Sequence, residues 1–244
     1  MSPRIAAVPD PVTPAYDERL AELLDETSPQ VRRARIEAGT RPVLPALEPL
    51  LPDGRLPKGV VVEALDHGLL LATAAGPAAA SESHWTAIIG WPDAGLAAAR
   101  AYGLPWERTL VADDPGDHWA EVASVLADAC ETIILKPTGR PAPRQLARLE
   151  QRLRTTGTTI LTPTIWPGTA ELRLTVSGSA WAGLGEGYGA LQHRTVTARC
   201  TGRGRARRPR EARLLLPDEQ GRVSAAAPAF ADAGPGAVGV AAMA

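Results

Sequence analysis

Lysine is nearly missing from this chain: Lys58 and Lys136 are the only two among 26 basic residues, and the rest are arginine. Asparagine is absent and phenylalanine occurs once. Ala, Gly, Pro and Arg are frequent instead, the bias of a GC-rich coding sequence, so arginine abundance alone says nothing about phosphate binding. The two cysteines, Cys130 and Cys200, lie far apart and exclude a disulfide framework. No apolar run approaches the roughly 18–20 residues of a membrane span. The N-terminus has Arg4, two early prolines and no apolar core of a signal peptide. A soluble cytoplasmic protein without a membrane partner is the expectation. Net charge is −1, so the chain as a whole is no polycation, and any nucleic-acid contact needs a local patch.

What is present is enough for one sizeable core: 244 residues, 45% of them hydrophobic. Residues 1–41 read as an N-terminal arm with short helices. The first helix runs from Ala15 to about Glu26. The second starts at Ser28-Pro29, an N-cap followed by a proline at the first helical position, and carries Arg32, Arg33 and Arg35. Residues 42–216 read as the core, entered through the turn-rich stretch from Pro42 to Pro57. Short apolar strands are expected at 59–63, 87–91, 109–112, 132–135 and 158–161. Helices are expected at 94–102, 117–131 and 142–154, the last with Leu146, Leu149 and Leu153 facing inward. Non-alternating apolar strands separated by helices point to a parallel sheet covered on both sides. Alternating strands at 171–176, 194–200 and 212–216 then predict an antiparallel edge. Residues 217–244 are Ala/Gly/Pro-rich without periodicity and read as a flexible tail.

Several short motifs carry a family resemblance. Leu56-Pro57-Lys58-Gly59-Val60-Val61-Val62-Glu63 resembles the LPxGxVxEI approach to the first core strand of RecA-like proteins. The run from Asp93 through Gly103-Leu104 to Arg108-Thr109-Leu110-Val111 is similar to the passage of those proteins after their second strand. Arg152 to Leu161 is similar to their RxxGTxxLxx helix-to-strand step. The resemblance covers about 170 residues, from Val43 to Leu216, and is to the ImuA/SulA-like branch. It implies a RecA-like α/β fold: a mostly parallel sheet flanked by helices, with antiparallel strands at the C-terminal edge. It also implies a role in DNA-damage processing beside an ImuB-type polymerase homologue.

The chemistry-bearing motifs of the RecA-like ATPases do not match. A phosphate-binding loop (Walker A) needs G-x-x-x-x-G-K-[ST] directly after the first strand, so that backbone N–H groups and a lysine converge on phosphate. Here Glu63 is followed by Ala64-Leu65-Asp66-His67-Gly68-Leu69: one glycine, no lysine, and an aspartate that repels phosphate. The fourth strand leads to Lys136 in place of a magnesium-holding aspartate. The segment after the second strand reads Trp91-Pro92-Asp93, where a water-activating glutamate would stand. One re-reading pairs Lys136 with Asp66 where magnesium would sit; the other leaves Lys136 solvated. No catalytic residue, metal site or cofactor is expected. The four histidines have no metal-ligand spacing, and Gly183 to Gly189 fails as a dinucleotide fingerprint because no helix follows it.

Binding is the remaining chemistry. Arg199, Arg203, Arg205, Arg207, Arg208, Arg210 and Arg213 crowd into fifteen residues with Glu211 as the one acid. Gly202, Gly204 and Pro209 suggest a flexible connection that could follow a phosphate backbone, touch an acidic protein, or do neither. Arg144, Arg148 and Arg152 form a second stripe on one helix. Trp166, Trp181 and Tyr188 are candidate partner anchors, since large aromatics on glycine-rich loops often hold partners. The resemblance, taken with these residues, implies a non-catalytic accessory protein of SOS mutagenesis and translesion synthesis. Its partners would be an ImuB-type polymerase homologue and single-stranded DNA, with a homo-oligomer left open. A SulA-like inhibitor of the division GTPase and a nucleotide-binding enzyme with a non-standard site are the alternatives.

Overall fold

A computed structural model of the chain describes residues 29–184 and 189–227. The expected helix at 15–26, the N-cap Ser28 and the anchor Tyr188 lie outside the described residues. The chain divides after Gly39. The N-terminal unit contains helix α1 (Pro29–Gly39), which buries no residue.

The remainder is built on a nine-stranded sheet. In chain order its elements begin with a two-strand ribbon, β1 (Thr40–Arg41) with β2 (Leu56–Pro57), then β3 (Val61–Ala64), α2 (His67–Ala80), β4 (Thr86–Ile89) and α3 (Leu96–Ala101). Next come β5 (Thr109–Ala112), α4 (Trp119–Leu126), β6 (Thr132–Leu135), α5 (Pro143–Thr156) and β7 (Thr159–Thr162). The antiparallel part is β8 (Leu172–Leu184), β9 (Gly189–Gly202), β10 (Arg210–Leu215) and β11 (Ser224–Ala225). The order across the sheet is β11-β10-β9-β8-β3-β7-β6-β4-β5. From β8 to β5 every neighbour pair is parallel. From β8 to β11 every pair is antiparallel. The expected α/β class, a mostly parallel sheet flanked by helices with antiparallel strands at the C-terminal edge, is the observed one.

The strands β3, β4, β6 and β7 are buried along their whole length, as doubly covered strands must be. Alternation sorts their side chains into two cores. Val62, Ala64, Ile88, Ile134 and Leu161 meet α2, α3 and the 3-10 segment Pro45–Leu50 on one face. Val61, Ala87, Ile89, Ile133, Leu135 and Ile160 meet α4 and α5 on the other. Helix α2 has no polar face: Leu69 to Ala78 is buried throughout. Gly76 lets it lie directly against Val43 and Leu44, where a Cβ would fall 2.6 Å from backbone atoms.

The second core stops at β3. Leu172, Leu174, Val196, Ala198, Cys200 and Leu214 of the antiparallel strands all point into the first core, and none of their residues joins the second. The opposite face of β8–β10 therefore carries no helix-packed core. Its alternate positions Arg173, Arg199 and Arg213 are exposed.

Candidate functional site

The place where a phosphate-binding loop would lie is closed by the chain's own side chains. β3 ends at Ala64, and α2 starts at His67. Only Leu65 and Asp66 connect them, too short a segment to wrap a phosphate. The free N–H groups at a helix start attract anions. Here Asp66 supplies the anion: its Oδ1 accepts the Leu69 N–H at 3.0 Å, and its Oδ2 accepts Nη2 of Arg194 at 2.8 Å. Arg194 reaches over from β9 and is steadied by Ser179, whose hydroxyl oxygen accepts its Nε at 2.8 Å. Both charged side chains are mostly buried, 18% exposed for Arg194 and 16% for Asp66. Leu216 packs against Gly68 from the C-terminal strands. Tyr102 is buried nearby; burial first and the Asp66 charge second push its phenol above the ordinary range.

This arrangement overturns the pairing of Lys136 with Asp66. Lys136 instead meets Asp93 at 3.4 Å, both partly exposed. The reason is topological: Asp93 follows β4, which adjoins the Lys136 strand β6, whereas Asp66 follows β3 and has β8 and β9 on its other side. Asp66→Ala removes a helix cap worth about 1 kcal/mol and strands the half-buried Arg194 charge. We expect a total loss of about 2–4 kcal/mol in urea unfolding, with Asp66→Asn losing less because the amide oxygen still caps. Equal melting of all three chains would contradict the closure.

Trp166 is not a partner anchor. It is 4% exposed, donates its indole N–H to Glu150 Oε1 at 3.1 Å, and stacks edge-on against Trp119 with ring centroids 5.8 Å apart. Its backbone N–H donates to Glu63 Oε1 at 2.9 Å, while Glu63 Oε2 pairs with Arg173. The glycine and proline beside it in sequence mislead, because they bend the chain back onto α5 and do not project the ring. Trp181 sits half-buried on β8 opposite Arg194.

All seven arginines of the basic segment are exposed. Arg199 lies on β9, Arg210 and Arg213 on β10, and Arg203, Arg205, Arg207 and Arg208 in the turn between. That turn is not the flexible connection its glycines suggest. Gly204–Arg207 forms a 3-10 turn that buries Ala206. The Arg203 N–H donates to the Glu171 carbonyl at 3.0 Å. Arg205 pairs with Asp53, a residue whose positive φ of 56° sets the loop before β2. Arg199 meets Glu211 at 3.9 Å, and Arg213 donates to the Ala227 carbonyl at 3.3 Å. Of the helix stripe, Arg152 pairs with Asp128, and Arg144 and Arg148 are exposed.

Reactive side chains are scarce elsewhere. Cys130 and Cys200 are buried, and burial pushes both thiols up to about 11, away from the thiolate form. Among the described residues no group of three or more His, Cys, Asp or Glu side chains is placed to hold a metal ion. Nor is any helix among them long and apolar enough to cross a membrane.

Fold and site together define an α/β protein in which the N-terminus of the helix after β3 is occupied by an internal ion pair. Residues 49–168 match the family model of the MT3502 N-terminal domain. The chain is also similar to the uncharacterized protein Rv3395c of Mycobacterium tuberculosis (strain ATCC 25618 / H37Rv), 40% identical over 124 residues. That stretch spans 49% of this chain and 60% of the relative. The matched domain ends before β8, so it holds Asp66 but neither Arg194 nor the arginine turn.

Proposed function

We propose that this chain is a non-catalytic, RecA-like accessory protein of the DNA-damage response, acting in SOS mutagenesis by docking an ImuB-type polymerase homologue, with DNA as a second contact. The observation that supports it is the closed start of α2. An ATPase presents bare N–H groups, a lysine and a hydroxyl there. This chain presents a carboxylate that already holds the N–H of Leu69 and an arginine that already holds the carboxylate. A triphosphate would have to displace Arg194 and approach Asp66 against like charge. The α/β body then serves as a rigid frame. The basic edge at β9–β10 and the hairpin β8–β9 are the parts available to partners.

Calorimetry with ATP and magnesium tests the first half of the reading, with no binding heat and no turnover expected. ATP turnover abolished by Asp66→Ala or Lys136→Ala would overturn it. Co-expression with an ImuB-type polymerase homologue from the same genome tests the second half. A complex that survives gel filtration is the expected result, and separate elution of the two chains contradicts it.

A further inference from the structure

We propose that the turn between β9 and β10, with the open face of the antiparallel strands beside it, holds the phosphate backbone of nucleic acid without reading base sequence. This rests on the docking reading above and specifies the ligand of its basic edge. The structure separates the seven arginines into two groups. Arg199, Arg205 and Arg213 are engaged, by Glu211, Asp53 and the Ala227 carbonyl respectively. Arg203, Arg207, Arg208 and Arg210 have no acidic partner among the described residues. Four unneutralised cations within eight residues repel one another and must gather counterions, and a polyanion gains by releasing those counterions.

The turn is built to present these cations and not merely to tolerate them. Buried Ala206, the Arg203 N–H to Glu171 bond and the Arg205–Asp53 pair tie its base to the body. The guanidinium groups thus project from an ordered backbone, which lowers the entropy cost of binding. On the adjoining face Thr197 and Thr201 supply hydroxyl donors on the same side of β9 as Arg199 and Arg213, which are held by Glu211 and the Ala227 carbonyl. Guanidinium forks and hydroxyls are the groups that fit phosphate oxygens.

Two further observations select backbone contact to nucleic acid. No Phe, Trp or Tyr occurs between Gly189 and Ala227, and His193 lies far from the turn along β9, so the turn gives bases no stacking platform. No large apolar side chain is exposed in the turn either, whereas protein partners are usually held by aromatic or aliphatic anchors. The opposite edge of the sheet, around β5, exposes Glu107, Asp113, Asp114, Asp117 and Glu121. The two edges of the sheet therefore differ in charge, which favours approach of a polyanion to the β9–β10 side.

The test is fluorescence anisotropy of the full chain with labelled mixed-sequence oligonucleotides, single-stranded and duplex, across a salt series. Four phosphate contacts predict a twenty- to fifty-fold loss of affinity, approximately, between about 50 and 150 mM salt. The variant Arg203→Ala, Arg207→Ala, Arg208→Ala, Arg210→Ala should bind at least about ten-fold more weakly at the lower salt, with a flattened salt dependence. Lysine at the same four positions should keep the salt slope. Each position is exposed, so the alanine variant should melt with the parent chain. Absence of wild-type binding at low salt overturns the proposal. So does an unchanged slope in the alanine variant. Equal competition by poly-glutamate also overturns it and reassigns the edge to an acidic protein. Polymerase-homologue capture is measured on the same proteins: retained capture without DNA binding sinks this inference alone, whereas lost capture with intact DNA binding sinks the docking reading.

Discussion

Gly76→Ala is expected to lower the melting temperature by about 10 °C. The added Cβ would lie 2.6 Å from Leu44 N, 2.6 Å from Val43 Cα and 2.8 Å from the Val43 carbonyl carbon. These are backbone atoms of the segment that leads into Pro45–Leu50, and that segment is itself buried at Leu47 and Leu50. No rotamer change relieves the clash; either α2 or this segment must move out of the first core. Overpacking of this kind costs about 1–3 kcal/mol or somewhat more, against a total stability of about 5–15 kcal/mol. For a body of this size the upper end corresponds to roughly 6–12 °C. Gly95→Ala is the control, because its Cβ would find only side chains, at 3.8 Å and beyond. Thermal denaturation followed by circular dichroism compares the two. Matching melting temperatures would mean that α2 does not lie against Val43.

The second large effect is a loss of stability in mild acid that traces to His84. The imidazole is 4% exposed, and its Nε2 lies 3.0 Å from the Thr132 hydroxyl. Burial holds its pKa down at about 4, partly opposed by attraction to Glu131, while Arg41 and Arg108 push the same way as burial. In the unfolded chain the ring titrates near 6.5. Between those two values the unfolded state binds more protons than the folded one, so stability rises with pH across that window. Acidification from about 6.5 towards 4 should therefore remove up to about 3 kcal/mol, since one pKa unit corresponds to about 1.4 kcal/mol. His84→Gln keeps a hydrogen-bonding side chain and deletes the titration. Urea midpoints at several pH values should diverge between the two chains below about pH 6.5, with the parent falling more steeply. Parallel curves would show that His84 accepts its proton in the folded state without penalty.

Most of the frame is legible from residue pattern. The apolar runs at 109–112 and 132–135 coincide with β5 and β6, and the other expected strands overlap theirs. These segments are short, rich in β-branched residues and bounded by turn residues, so local preference marks them even at β5, whose Leu110 and Val111 are exposed. Helix α5 is equally legible, because Leu149 and Leu153 repeat at helical spacing opposite a charged face. Helix α2 leaves no such periodic mark. Its fourteen residues are almost uniformly apolar and contain Pro77, so neither an amphipathic stripe nor a boundary stands out. Only burial on every side explains that composition. The long arms of β8 and β9 also exceed their expected lengths. Small and polar residues beyond Val176 carry little strand signal, and cross-strand pairing sustains them there.

The missing phosphate-binding loop and the crowding of arginines near residue 205 were decided by the order of amino acids alone, because each depends on neighbours along the chain. Which charge answers which was decided by the fold. Asp66 and Arg194 stand 128 positions apart, Arg205 and Asp53 152 apart. A one-dimensional pattern cannot rank such partners, since Coulomb attraction acts only once sheet order has brought strands together. The same holds for Trp166, whose environment comes from α4, α5 and β3 and not from the glycine beside it.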